Sequence, residues 1–112
     1  MPINDWSDDI LIAELADEPG FSDDLAAVVR RYDSDGQPPD VILDLRGVSY
    51  LNSSNIAQLL RLRKKVVSAN RRMRVCGVRD SVWGVMMVTG LDKLFEFTDD
   101  VSTSLTSLQL GL

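Results

Sequence analysis

The sequence predicts an α/β domain built on a mainly parallel sheet, and three observations carry that reading. Short β-rich apolar runs alternate with stretches of helical spacing, in the order β-α-β-α-β-α-β-α. The run VILDL at 41–45 is continuous rather than alternating, as in an interior strand covered on both faces. No repeat, low-complexity linker or second domain divides the chain, so the strands belong to one sheet joined by helical crossovers.

Each element has a local signal. DILIAEL, 9–15, alternates enough to read as a strand. Ser22 is placed as the N-cap of a first helix, with Asp23 and Asp24 in the first turn, where acids suit the helix dipole. Leu25, Val28 and Val29 recur at helical spacing, Arg30 and Arg31 sit near its end, and Gly36, Pro38 and Pro39 stop it. After VILDL, residues 54–70 read as a helix with Ile56, Leu59, Leu60, Val66 and Val67 on or near one face. RMRVCGV, 72–78, is the next buried strand. Ser81–Val88 is a helix closed by Gly90, LFEF at 94–97 a short strand, and Asp99–Leu110 a final helix, acidic at its start.

The 112 residues, 45% hydrophobic, suffice for a single core, and the whole chain, 1–112, reads as one domain. No apolar run approaches the roughly 18 to 20 residues that span a bilayer. The acid-rich first twenty residues lack the pattern of a secretory leader, and the one cysteine, Cys76, excludes an internal disulfide, so a cytoplasmic location is expected. The absence of histidine removes Ser-His-Asp triads, Cys-His pairs and His-ligated zinc; no metal and no cofactor is expected. Cys76, inside an apolar strand, reads as a buried small hydrophobe. Trp6, Trp83, Met86 and Met87 read as core or partly covered surface.

The net charge of −5 is unevenly spread. Residues 1–40 carry eleven acids and two bases, whereas residues 61–79 carry eight bases and no acid. Such a cluster can mark nucleic acid, but an acidic chain argues for a solvated helix face, and no direct nucleic-acid partner is expected.

The stretch DLRGVSYLNSSNIAQLL, 44–60, holds the candidate site. Loops at the carboxyl ends of parallel strands are where such sheets place sites, and this loop follows the expected central strand. Asn52, Ser53, Ser54 and Asn55 offer four candidate caps where one suffices. A catalytic serine lacks both G-x-S-x-G and a histidine base, and no GxxxxGK[ST] phosphate loop is present. A modifiable serine remains. A phosphate there would be tolerated by the helix N-terminus and would act on binding rather than on folding.

A strand V-x-L/V-D-L, a small turn, V-S/T-[YF]-[ML]-D-S-S/T-G and an apolar helix characterise the STAS domain, which includes the bacterial anti-sigma factor antagonists. VILDLRGVSYLNSSNIAQLLRLRKK resembles that pattern, and VTGLDKLFEF resembles the S/T-G-L turn before the family's last strand. The likeness runs over residues 9–110. It implies a four- or five-stranded mixed sheet with flanking helices and a non-enzymatic role in partner switching. In that scheme the domain binds an anti-sigma factor that is also a GHKL-type serine kinase. The kinase releases itself by phosphorylating a serine at the start of the second helix, and a phosphatase reverses the mark. The acceptor position falls on Ser54, with Ser53 as its alternative and as the expected cap. The implied docking face takes in Ser49, Tyr50, Asn52, Ser53, Asn55, Gln58 and Arg61, with Lys64 and Lys65 adding charge. Asn52 stands where the family has aspartate, and Asn55 where it has glycine. A non-switching STAS scaffold or regulatory subunit, in a stress-sensing or lipid-transport complex, is the alternative. A small enzyme or ligand-binding α/β domain is a third class, disfavoured by the missing motifs. The chain is expected to be a monomer or a weak homodimer paired through an edge near DILIAEL, without membrane insertion.

Overall fold

The computed structural model describes residues 2–34 and 36–111. Its elements are β1 (Ile3–Asp5), β2 (Ile10–Ala16), α1 (Gly20–Asp33), β3 (Asp40–Gly47), α2 (Ser53–Ser68), β4 (Met73–Cys76), α3 (Asp80–Thr89), β5 (Glu96–Thr98) and α4 (Val101–Leu110), with one 3-10 turn at Leu91–Lys93. One mixed sheet has the order β1-β2-β3-β4-β5. β2 to β5 are parallel, and β1 joins β2 as an antiparallel hairpin partner.

That sequential order dictates the layers. Right-handed crossovers stepping one strand at a time in one direction place their helices on a single face. Accordingly Leu11, Ala13, Leu15, Val41, Leu43, Leu45 and Val75 form one core with Phe21, Leu25 and Val28 of α1, Leu59, Leu62 and Val66 of α2, and Val82 and Met86 of α3. The alternate strand positions, Ile10, Ile12, Ile42 and Cys76, face Leu108 of α4. β3 is therefore buried on both faces, as its unbroken apolar run requires. The four residues of β4, including Arg74, are buried as well.

Several sequence expectations need correction. The chain starts the sheet with β1, so β2 is an interior strand and DILIAEL offers no free edge. Three residues of mixed polarity, IND, carry no periodicity that would reveal a strand. Ser22 is not an N-cap. α1 begins at Gly20, and the Glu18 carboxylate, one residue ahead of the cap position, accepts the Ser22 amide at 2.8 Å. On α2, Leu60 is 38% exposed and Val67 56%, while Leu62 is buried. The last strand starts at Glu96, because Phe95 is drawn into the core below it. Met86 is core, but Met87 is exposed, as is Trp6. Trp83 lies edge-on to Phe97 with ring centroids 5.0 Å apart.

Two glycines do specific work. Gly90 adopts a φ of +78° to close α3, and Leu91 behind it is buried. Gly77, at φ +67°, lies under the Asp44–Arg46 pair; a Cβ there would stand 2.5 Å from Arg46 Cγ and 2.8 Å from Asp44 Oδ1.

Candidate functional site

The carboxyl ends of β2, β3 and β4 bring three loops to one edge of the sheet. The β3–α2 loop alternates its anchoring: Val48 and Leu51 are buried, whereas Tyr50 between them is 48% exposed. The β2–α1 loop holds it in place. Asp17 accepts the Ser49 amide at 2.8 Å and the Ser49 hydroxyl at 2.6 Å. The Ser49 hydroxyl bond, followed by its amide bond, pulls the Asp17 carboxyl below its usual range. From the β4–α3 side, the Ser81 hydroxyl donates to the Ser49 carbonyl at 2.8 Å.

Asn52 is the N-cap of α2, with extended backbone at φ −94° and ψ 175°. Its Oδ1 accepts the Asn55 amide at 2.8 Å, and Asn55 Oδ1 accepts the Asn52 amide at 3.1 Å. This reciprocal capping box corrects the expectation that Ser53 is the cap. Asn55 also turns its Nδ2 toward Glu18, 3.2 Å away, and toward Gln58 Oε1 at 3.4 Å. Glu18 accepts from the Ser22 hydroxyl, which takes a bond from Gln58 Nε2 at 3.1 Å. The Ser22 contacts, with Asn55 adding to them, hold the Glu18 carboxyl below its usual range. A polar strut thus ties the first two turns of α2 to the start of α1.

Ser53 and Ser54 occupy the first two helical positions, and both are exposed. Among the described residues neither hydroxyl has a hydrogen-bond partner. The first turn of α2 contains no acid. Orphan amides and the positive end of the helix dipole therefore meet solvent beside two unspent hydroxyls.

Of the residues expected to dock a partner, Tyr50, Asn52, Ser53 and Ser54 share this exposed edge, and Arg61 is exposed further along α2. Asn55 is 1% exposed, so its side chain has no surface to offer. Ser49 and Gln58 are half-buried with their polar groups engaged. Asp17, Glu18 and Ser81 escaped the sequence reading. The first two follow the strand adjacent to β3, and the rule that placed the Ser54 loop at a strand's carboxyl end applies equally to them. Among the described residues, no cluster of three His, Cys, Asp or Glu side chains could hold a metal, and no helix is long and apolar enough to cross a membrane.

Comparison with known proteins fits this geometry. The STAS domain family model matches residues 4–104. An anti-sigma factor antagonist from Mycobacterium paratuberculosis superposes with a TM-score of 0.73 at 22% identity, over 96% of this chain and 91% of that one. An anti-sigma-factor antagonist (STAS) domain protein from Planctomyces limnophilus gives 0.76 at 20% identity, over 89% and 91%. A sulfate transporter family protein from Wolinella succinogenes gives 0.76 at 18% identity, over 90% and 85%. These likenesses share the fold across proteins of different roles. With the family model matching residues 4–104 of its 112, the chain belongs to the STAS domain family.

Proposed function

We propose that this chain is a bacterial, cytoplasmic anti-sigma factor antagonist that acts by binding and is switched off by phosphorylation of Ser54. Its partner is an anti-sigma factor with GHKL-type serine kinase activity, and a phosphatase restores the binding form. The observation that carries this reading is the division of labour at the mouth of α2. Asn52 and Asn55 do the capping, so the Ser53 and Ser54 hydroxyls are exposed and unneeded by the fold. Transfer to Ser54 forms an Oγ–P bond as the γ-phosphoryl leaves ATP, with ADP departing and the hydroxyl proton passing to a base on the kinase. The product carries a charge of about −1.5 to −2 on the docking edge. A helix N-terminus without acids accommodates that charge, whereas a surface fitted to a neutral serine does not.

The test is capture of partners from native lysate by wild type, Ser54→Asp, Ser54→Ala and Ser53→Ala, quantified by mass spectrometry. A GHKL-type kinase should bind the wild type and both alanine variants and fall by about tenfold or more, about 1.4 kcal/mol, on Ser54→Asp. Equal capture by all four forms rejects the switch. A second reading has its own support in the likeness to a sulfate transporter family protein: a non-switching STAS module that packs within a larger assembly. It predicts partners that ignore Ser54→Asp.

A further inference from the structure

Most cations of this chain are spent internally. Arg31 pairs with Asp5, Arg46 with Asp44, Lys65 with Asp33, and Arg71 and Arg72 with Asp40. Arg63 donates to the Leu94 carbonyl. Five cations differ: Arg30, Arg61, Lys64, Arg79 and Lys93 are exposed, and among the described residues none has a carboxylate partner, in a chain with 17 acids to 12 bases. Arg79 and Lys93 lie elsewhere, but the fold brings Arg30, Arg61 and Lys64, scattered in sequence, to one place, the groove between α1 and α2.

The groove has two compartments, about 220 Å³ and about 600 Å³, and Arg61 lines both. The first is floored by Leu25, Ala26 and Val29 and flanked by Arg30. The second is walled by the Tyr32 side chain and carries Lys64. Tyr32 gives its hydroxyl to the Pro39 carbonyl, which leaves its ring as the wall. From Gln58 to Ala69 the groove follows α2 for about 16 Å, the length of about three helical turns.

We propose that this groove receives a short acidic amphipathic helix of the partner protein. Apolar side chains of such a helix fill the floor, as in other helix-in-groove complexes. Carboxylates one turn apart meet Arg61 and Arg30, whose guanidinium planes favour carboxylate forks. Charge complementarity selects the occupant. An apolar floor is wasted on a simple anion, and a long polyanion such as nucleic acid would run against Asp23 and Asp24, which precede the floor on α1. The inference rests on the reading that this part of α2 binds a protein. Gln58 lines the first compartment and stands four residues, about one helical turn, after Ser54 on α2, so the groove begins beside the Ser54 edge.

The experiment follows backbone amide shifts of the ¹⁵N-labelled full chain during titration with a synthetic peptide carrying Leu and Glu at helical spacing. The controls are the same peptide with Lys for Glu and a single-stranded oligonucleotide. The acidic peptide should shift Ala26, Val29, Arg61 and Ser68, and the basic peptide should shift none of them. Arg61→Glu with Lys64→Glu should weaken binding by about tenfold or more, the unperturbed remainder of the spectrum reporting an intact fold; Arg61→Lys should retain most of it. No shift with the acidic peptide, shifts that survive the charge reversal, or preferential binding of the oligonucleotide would each overturn the proposal. Ser54 plays no part in this titration. If the peptide fails while Ser54→Asp still releases the kinase, the groove alone is wrong; if the peptide binds and Ser54→Asp releases nothing, the switch alone is wrong.

Discussion

At the mouth of α2, four consecutive short polar residues divide into two pairs. Asn52 and Asn55 exchange bonds with each other's backbone, while Ser53 and Ser54 between them bond nothing among the described residues. Urea denaturation should therefore separate the pairs. Asn52→Ala and Asn55→Ala should each lose about 0.5 to 2 kcal/mol, Asn55 toward the upper end because Glu18 also loses a donor. Ser53→Ala and Ser54→Ala should stay within about 0.5 kcal/mol. Ser54→Asp should leave stability unchanged or raise it by about 0.3 to 1 kcal/mol, since the charge sits at the positive end of a helix dipole. A marked loss on Ser54→Asp would mean that the phosphorylated form unfolds rather than releases its partner. Elsewhere, Cys76 shows how burial silences chemistry: it raises the thiol to about 11, so the thiolate is scarce at neutral pH.

Elements face the core through narrower stripes than their composition implies. On α2 the buried line is Asn55, Leu59, Leu62 and Val66, the i, i+4, i+7, i+11 rhythm of one face. Leu60 is rotated by about 100° from Leu59 and looks to solvent. Leu59→Ala or Leu62→Ala should thus cost about 2 to 5 kcal/mol by opening a cavity, whereas Leu60→Ala should cost under about 0.5 kcal/mol. Thermal melts of the three variants check this directly. A large loss at Leu60 would place α2 in a different rotation and move Arg61 away from the groove. The exposure of Leu60 leaves room for a partner on the same helix without disturbing its packing.

Across the whole molecule, carboxylates fasten the loops that present the site. Asp17 and Glu18 both have carboxyl groups held below the usual range, chiefly by their bonds to Ser49 and Ser22 respectively. The unfolded chain then binds more protons than the folded one between the depressed values and the ordinary ones near about pH 4. Their contribution is complete above that range, fades as the pH falls through it, and vanishes below the depressed folded values. Melting temperature should accordingly fall on acidification from pH 6 to pH 3. Asp17→Asn and Glu18→Gln should each melt lower than wild type at pH 6 and lose less on acidification. Parallel slopes for wild type and both variants would show that other acids carry the acid sensitivity. The same arrangement gives the molecule its polarity: acids serve the strand-end loops, and three unspent cations remain on the α1–α2 groove.

The sequence by itself determined the alternation of strands and helices, the doubly buried β3, the turn at Gly90 and the polar run at the mouth of α2. These are local signals: periodicity, a left-handed glycine and a cluster of cap-forming residues within a few positions. The short β1 was illegible because its three residues become a strand only when β2 lies beside them. The expected cap, Ser53, misses the actual one, Asn52, by one position, since the cap depends on where the helix begins to within one residue. Glu18, Ser22, Asn55 and Gln58 form a unit across sequence separations of 36 and 37 residues, which no local pattern encodes. The same holds for the groove, where Arg30 joins Arg61 and Lys64 only because a parallel crossover lays α1 beside α2. Local chemistry supplied the hydroxyls; tertiary packing decided which of the neighbouring groups are used up by the fold and which are left for a partner.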